Sequence, residues 1–295
     1  MTSQDSPTPT PVGIVTDSVS CIPPEVVSRL GIEIVPVELV FDGKVYRDGV
    51  DITPDEFYAL LEGAKRLPTT SAVSPGSYLQ IYRRVAERGK DVLCITVTSR
   101  LSAMYDSAKT AADMAREVLP DRRVEVLDSG TATTGEGFMV MEAARAAASG
   151  KGLDEARSAA LRIQPWVYVL AMLDTLHYLA RGGRVPKAAA WATSLLQVKP
   201  ILEVKDGEVH LFERVRTRKR ATEHMLQAVA RLRRGKGPLH AAVMHAHTPR
   251  EAEELGRVLA ARFQPAELYV TQFTPVMGVH TGPGVLGVAF YWEEG

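Results

Sequence analysis

The sequence has few cysteines, no net charge and no long apolar segment. Of its 295 residues only Cys21 and Cys94 are cysteines, and neither lies in a C-x-x-C spacing, so we expect no disulfide framework and no zinc site. Lys plus Arg and Asp plus Glu number 35 each, so no overall charge favours nucleic acid or an anionic membrane. No apolar run approaches the roughly 20 residues of a membrane-spanning helix. These absences indicate a cytoplasmic protein that binds no nucleic acid and does not insert stably into a membrane.

The chain also lacks the common short motifs of catalytic sites. It contains no Walker-type G-x-x-x-x-G-K-[ST], no H-E-x-x-H and no G-x-S-x-G. Residues 282–287 match G-x-G-x-x-G, but only eight residues follow Gly287, too few for the helix and the distal acidic residue of a dinucleotide site. We therefore expect a binding protein rather than an enzyme, with no metal and no cofactor.

Short strands alternate with helices over the first half of the chain. Hydrophobic patterning predicts strands at 12–17, 32–41, 91–98 and 123–129. Thr53 and Ser74 are predicted to cap two of the helices between them. Such alternation is typical of a mostly parallel sheet covered by helices on both faces.

The second half combines hairpins with helices. Asp206-Gly207 between two apolar runs predicts a type I′ hairpin, and Thr248 is predicted to cap a later helix. Further strands are predicted at 166–173, 239–246, 268–275 and 284–292. This mixture is typical of an α+β domain with a mixed sheet.

The predicted fold class is therefore α/β with two domains. We place a disordered tail at 1–11, an N-terminal domain with a mostly parallel sheet at 12–160 and a C-terminal α+β domain at 161–295. A ligand is expected between the two domains.

Hydroxyl side chains are concentrated where the predicted strands of the first domain end. The segments concerned are TDSVS (16–20), TTSAVSP (69–75), TVTSRLS (96–102) and LDSGTATT (127–134). Strand carboxyl ends share one edge of a parallel sheet, so these hydroxyls and the adjacent helix N-termini would suit a carboxylate or a phosphate. Taken singly, each Ser or Thr is better explained as a helix N-cap. Together they favour an anion site.

Two arginine-rich stretches have alternative explanations. LARGGRVPK (179–187) fits a helix end with a terminal glycine, and RVRTRKR (214–220) fits a solvated face. Either stretch would also suit an acidic or phosphate-bearing partner. Nucleic acid is disfavoured because aromatic residues are not interleaved with the basic ones.

Several motifs, in one order along the chain, resemble those of the DegV-like fatty-acid-binding proteins. The motifs are IVTDSVSCIP, TTSAVSPGSYL, ITVTSRLSAMYDSA, VLDSGTATTGEG, LARGGRVPKAAAW, LLQVKPIL, DGEV, RVRTRKRA and HTGPGVLGV. The resemblance runs from about Val12 to the C-terminus. It implies a two-domain α/β protein that holds a long-chain fatty acid and presents it to a separate ATP-dependent kinase subunit for acyl-phosphate formation.

The resemblance also implies which residues bind the carboxylate. It assigns the headgroup to Thr70, Ser99 and His280, with Thr98 and Thr281 beside them. In the HTGPG motif, Gly282 and Gly284 would let the backbone approach the headgroup closely. Contact with the kinase is expected from Arg184 and from Arg216 or Arg218. We expect the protein to be a monomer without catalysis of its own.

This chain departs from its relatives at two loops near the expected headgroup. Residues 70–74 read TSAVS, with Ala72 and Val73, where many relatives read TSQPS. Residues 101–105 read LSAMY, with Ala103 and Met104, where many relatives read LSGTY. Thr98-Ser99 also replaces a common Ser-Ser pair. These differences affect the expected chain-length preference rather than the headgroup site.

Two other functions remain open at the level of the sequence. One is an enzyme, either a hydrolase using Ser99 or a kinase subunit that binds a small carbonyl substrate at the same hydroxyl and His site. The other is a binding module for a different apolar acid. A long apolar pocket would favour the fatty acid, and a short polar pocket would favour the small carbonyl compound.

Overall fold

The structure is a computed structural model that describes residues 11–88, 90–194 and 198–294. The predicted tail, apart from Pro11, lies outside the described residues. The strands are β1 Val12–Asp17, β2 Glu33–Val35, β3 Glu38–Phe41, β4 Lys44–Arg47, β5 Thr69–Ser71, β6 Asp91–Thr96, β7 Val124–Asp128, β8 Tyr168–Met172, β9 Lys199–Lys205, β10 Glu208–Val215, β11 Leu239–His245, β12 Glu267–Gln272 and β13 Leu286–Trp292. The helices are α1 Pro24–Leu30, α2 Pro54–Glu62, α3 Pro75–Ala86, α4 Met104–Val118, α5 Thr134–Ala148, α6 Leu153–Ile163, α7 His177–Gly182, α8 Ala188–Ser194, α9 Arg218–Arg231, α10 Pro249–Phe263 and α11 Pro275–Thr281.

The N-terminal sheet is parallel, in the order β2-β1-β6-β7. Helices cover both of its faces, which can be read from β1. The Cα of Gly13 lies against Val85 of α3, whereas Thr16 hydrogen-bonds to Glu136 of α5. Residues 13 and 16 point to opposite faces of a strand, so α3 and α5 lie on opposite sides of the sheet. The α/β class predicted from the sequence is confirmed.

The C-terminal sheet is mixed, in the order β10-β9-β8-β13-β11-β12. Only β11 and β12 pair in parallel; the other neighbours are antiparallel. The predicted hairpin joins β9 and β10, and both Asp206 and Gly207 have positive φ, as a type I′ turn requires. One face of this sheet packs on α9 and α10, and the other faces the N-terminal half of the chain.

Helix α5 lies between the two main sheets and contacts both. Gly135 has no side chain where a Cβ would come within 2.5 Å of Val169 on β8. Thr134 hydrogen-bonds to Thr271 of β12, and farther along the helix Arg145 pairs with Glu267. Because α5 is buried from both sides, the two halves of the chain share one large apolar core.

Three details of the sequence prediction are wrong. The β-rich segment 32–41 is two strands in different sheets, because Pro36 separates β2 from β3 and lacks the N–H that a continued ladder needs. A small third sheet, β4-β3-β5, was not predicted. Thr248 makes no side-chain cap on α10; its hydroxyl donates instead to the carbonyl oxygen of Val285.

Among the described residues, no helix has the length and hydropathy needed to cross a bilayer.

A buried carboxyl group lies between α5 and the N-terminal sheet. Glu136 is fully buried, one of its oxygens accepts a hydrogen bond from Thr16 Oγ1, and the other has no partner among the described residues. Burial, with Asp17 nearby, raises the pKa of Glu136 well above its ordinary value. The folded chain therefore holds Glu136 protonated at pH values where the unfolded chain ionises it.

We predict that Glu136→Gln stabilises the protein at neutral pH, because the neutral amide removes the cost of protonating a buried acid. The stability of the wild type falls as pH rises from the pKa of Glu136 in the unfolded chain toward its higher pKa in the folded chain. The stability advantage of the variant over the wild type should therefore shrink as the pH is lowered toward 4. Urea unfolding at several pH values measures the free energy of unfolding of both proteins. The exposed Glu117→Gln is the control, and a variant less stable than wild type at neutral pH would contradict the prediction.

Candidate functional site

An apolar cavity of about 490 Å³ lies between the two halves of the chain. Alternate residues of neighbouring strands form one wall: Val169 and Ala171 of β8, and Leu202 and Val204 of β9. Residues that follow strands of the N-terminal sheet and residues of α11 line other parts of it. A cavity of this size and lining suits an elongated apolar ligand.

Polar side chains in the cavity are joined at one end. His280 Nε2 lies 3.0 Å from Thr70 Oγ1, and Arg184 Nη2 lies 3.5 Å from the same oxygen. Ser102 and Thr281 also line the cavity. Arg184 is exposed on its outer side, so this end of the cavity reaches the protein surface. A hydroxyl, an imidazole and a guanidinium that lie this close together are appropriate donors for one carboxylate.

The imidazole of His280 is neutral at physiological pH. Burial, and to a smaller extent the positive charge of Arg184, lowers its pKa from 6.5 to about 4. Nδ1 is buried without a hydrogen-bond partner among the described residues and lies against Gly182, where a Cβ would be 2.7 Å away. We therefore assign the proton to Nε2, which donates to Thr70 Oγ1. The hydroxyl proton of Thr70 is then free for a ligand.

Ser102, rather than Thr98 or Ser99, is the hydroxyl residue of this loop that lies at the cavity. Thr98 is buried outside the cavity and its Oγ1 accepts from Arg100 N, whereas Ser99 is exposed and its N–H donates to Asp128. Neither of the two lines the cavity. Ser102 does, and its Oγ accepts from the N–H at the start of α4, which leaves its proton available.

His280 lies on a short helix and not in a glycine loop. The predicted strand 268–275 ends at Gln272, and α11 begins at Pro275. Gly278 places the helix directly against α2, since a Cβ there would be 2.6 Å from the ring of Phe57. Thr281 is the last residue of the helix, and its hydroxyl donates to Met277 O.

The start of α11 is attached to the N-terminal half through Asp48. This carboxylate is 2% exposed; it accepts from Ser18 Oγ at 2.6 Å and from Val276 N at 3.4 Å. Ser18 Oγ in turn accepts from Val37 N. Burial raises the pKa of Asp48 to about 6. Val37 and Val276 both line the cavity, so this one side chain sets their relative position.

The two glycines of the HTGPG motif lie against other side chains of the protein. Gly282 has φ +70° and its Cα lies against the ring of Tyr178, while Gly284 has φ +88° and lies against the carboxylate of Asp174. Neither glycine lines the cavity. Their positive φ values let the chain turn from α11 into β13.

Of the three arginines expected at a partner surface, two are exposed. Arg184 and Arg216 reach solvent. Arg218 donates to Asp174, to Glu251 and to the carbonyl oxygen of Gly284, and only 24% of its side chain is exposed. Arg218 therefore positions the segment between α11 and β13.

The described part of the chain contains no cluster of three or more His, Cys, Asp or Glu side chains arranged to hold a metal ion.

The DegV family model, whose members are described as uncharacterised proteins, matches residues 11–293. The chain belongs to the DegV family. A DegV domain-containing protein of Streptomyces coelicolor is 36% identical over 94% of this chain and 97% of its own, and one of Clostridium acetobutylicum is 34% identical over 96% and 98%.

Solved DegV structures share the fold over nearly the whole chain. A fatty-acid-binding DegV protein from Thermus thermophilus superposes with a TM-score of 0.88 at 32% identity, covering 96% of this chain and 99% of that protein. A stearic-acid-binding protein from Eubacterium ventriosum superposes with a TM-score of 0.87 at 30% identity, covering 95% and 98%.

The two loops in which this DegV protein departs from the commoner motifs contact each other. The N–H of Val73 donates to Met104 Sδ at 3.4 Å, and Met104 is fully buried. Ala72 and Ala103, the residues before each of them, line the cavity. The Val73–Met104 contact therefore holds together the loops that carry Thr70 and Ser102.

We predict that Arg184→Ala raises the pKa of His280 above about 4 but leaves it below 6.5, because burial is the larger cause of the shift. A pH titration of the His280 ring protons by NMR measures the change. Arg181→Ala, which removes an exposed charge from the neighbouring turn, should leave the titration unaltered. An unchanged pKa in Arg184→Ala would show that its guanidinium does not act on the imidazole.

Proposed function

We propose that this protein binds a long-chain fatty acid, with the tail in the apolar cavity and the carboxylate at Thr70, Ser102 and His280. The observation that carries the proposal is the 490 Å³ apolar cavity whose lining includes the hydrogen-bonded group Thr70, His280 and Arg184. Burial of each methylene contributes about 0.8 kcal/mol before the cost of binding is subtracted. The fatty-acid-binding DegV structures of similar fold support the same ligand class.

The arrangement of donors explains how a carboxylate is held beside a neutral histidine. Thr70 and Ser102 each accept a hydrogen bond from the protein, so each can turn its own proton toward the ligand. Arg184 supplies the compensating positive charge. In this scheme His280 acts on the ligand through the Thr70 hydroxyl. For direct donation to the carboxylate, Nε2 would have to break its hydrogen bond to Thr70 Oγ1 and donate to the ligand instead.

The hydrolase alternative has less support. Among the described residues His280 pairs with Thr70 and not with Ser102, and no acidic side chain hydrogen-bonds to its ring. A serine nucleophile needs a base at hydrogen-bond distance and a group that orients the base. We therefore propose a binding protein without catalysis of its own, present as a monomer.

We propose further that a separate ATP-dependent kinase subunit phosphorylates the bound acid. A carboxylate oxygen attacks the terminal phosphorus of ATP, the new O–P bond forms as the bridging P–O bond to ADP breaks, and no proton is transferred. The headgroup lies at the end of the cavity that reaches the surface, which is where a partner would need it. Arg184 and Arg216 are the exposed cations that we assign to that contact.

We predict that Ser102→Ala weakens palmitate binding roughly ten- to hundredfold, because a hydrogen bond to a charged group is lost. Ser99→Ala should bind palmitate like wild type, since Ser99 does not line the cavity. Isothermal titration calorimetry of the delipidated protein measures both, and circular dichroism verifies the fold. If the wild-type protein does not bind palmitate, the proposed ligand is wrong. Equal affinities in both variants would reject the assigned hydroxyl.

We predict that Arg216→Ala slows acyl-phosphate formation with a fatty-acid kinase catalytic subunit and ATP, while palmitate affinity stays within about twofold, because Arg216 lies on the surface and outside the cavity. Initial rates at several concentrations of this protein separate weaker association from slower turnover. Arg116→Ala on α4 is the charge-matched control. Unchanged rates in Arg216→Ala would remove this residue from the partner surface.

A further inference from the structure

The tip of the hairpin between β9 and β10 lies against a loop of the other half of the chain. Asp206 and Gly207 form the turn, and Gly207 is buried, although hairpin turns normally face solvent. A Cβ at Gly207 would come within 2.5 Å of Thr98 Oγ1 and within 3.1 Å of Arg100 Cδ. The lack of a side chain at this position therefore lets the turn close onto the loop.

An ion pair joins the same two segments. Arg100 Nη1 donates to Glu208 Oε1 at 2.8 Å, and the two side chains are 61% and 49% exposed. An exposed pair of this kind contributes little to stability and is weakened by salt. The contact between the tip and the loop is therefore closed in the structure, but little free energy is needed to part it.

The tip and the loop together separate the apolar cavity from the surface. Leu101 of the loop and Val209 of the hairpin line the cavity and also line a hollow whose other residues include exposed arginines and a lysine. Leu101 follows Arg100 in the chain, and Val209 follows Glu208. Parting of the ion pair would therefore also part the two apolar side chains that lie between the cavity and the hollow.

The hairpin is free to move at its tip. Among the described strands, β10 is at the edge of its sheet and pairs only with β9, whose own pairing with β8 ends at Val204. The register between β9 and β10 shifts between Leu211 and Glu213, which marks a bulge where the hairpin bends. Residues 205–209 therefore project beyond the pairing with β8 and can swing away without breaking hydrogen bonds inside the sheet.

A second attachment between the two halves, beside the same cavity, is more costly to break. Asp48 is buried, and its hydrogen bonds to Ser18 and Val276 hold α11 against the N-terminal half. Removing partners from a buried carboxylate costs far more than parting an exposed ion pair. Parting of the halves at the hairpin is therefore the less costly way to open the cavity.

We propose that the hairpin tip, residues 205–209, is a gate that opens to admit and release the fatty acid and closes on the 98–101 loop while the acid is bound. The inference rests on the proposed function, since it concerns the entry of that ligand. It also gives a role to the DGEV motif (206–209), which contributes no donor to the headgroup. Gly207 permits closure, Glu208 pairs with Arg100, and Val209 covers the cavity.

The test replaces Gly207 by alanine and uses another Asp-Gly hairpin of the chain as a matched control. Asp42-Gly43 joins β3 to β4, and Gly43 has the same φ as Gly207, +79°. A Cβ at Gly43 meets no atom of the described residues within 4 Å, its chain neighbours aside. A Cβ at Gly207 strikes Thr98, which is buried, β-branched and hydrogen-bonded to Arg100 N. Both variants therefore share the backbone strain, and only Gly207→Ala forces the tip away from the loop.

Association and release of cis-parinaric acid, a fluorescent long-chain fatty acid, are followed by stopped-flow mixing, with release driven by excess palmitate. Entry and exit cross the same gate, so we expect Gly207→Ala to raise both rate constants at least about tenfold and to leave the dissociation constant within about threefold of wild type. Gly43→Ala should match the wild type, and circular dichroism verifies the fold of both variants.

Wild-type rates in Gly207→Ala would overturn the gate. Faster release with unchanged association would overturn it too, since the tip would then be only a contact to the bound ligand. If the wild type binds neither cis-parinaric acid nor palmitate, the fatty-acid function itself is wrong.

A second measurement locks the gate instead of opening it. In Thr98→Cys/Gly207→Cys the two new side chains lie close enough to form a disulfide after a small shift, and the native Cys21 and Cys94 are buried. The oxidised protein should release cis-parinaric acid at least about tenfold more slowly than the same protein after reduction. Equal release rates in the two states would show that the ligand leaves by another route and would overturn the proposal.

Discussion

The attachment of α11 to the N-terminal half through one buried carboxylate is the constraint on which the rest of the site depends. Asp48 receives hydrogen bonds from Ser18, next to β1, and from Val276, in the first turn of the helix that carries His280. Helix α11 has seven residues and would not be stable alone. Its position comes from Asp48 at one end and from Gly278 packed on α2 in the middle.

The cavity adjoins a positively charged part of the surface. Inside the cavity, His280 is neutral and the surroundings are apolar, so an additional cation would be costly to bury. At the surface, solvent screens Arg100 and Lys187, so several positive charges can lie close together. Arg184 belongs to both environments and is the group through which they are electrostatically coupled.

The main architecture could be predicted from the sequence because strands such as β1 and β6 are apolar, regularly spaced and bounded by turn residues. The third sheet could not, since β5 is a three-residue strand with no periodic pattern. The sequence also could not predict that Ser102, and not Ser99, lines the cavity. Three hydroxyls lie within five residues of one loop, and their directions depend on bonds to Asp128 and Thr131, about thirty positions away. Thr70 and His280 were predicted through family motifs, and the structure brings them together.

The hydrogen bond from Val73 to Met104 has an evolutionary consequence. A proline at the first position would have no N–H, and no acceptor would then be needed at the second. In this chain, replacement of Met104 alone would leave a buried donor unpaired, whereas simultaneous replacement of Val73 by proline would remove that donor. The two positions should therefore show epistasis, and lineages would cross between the two loop types more easily if proline arrives first.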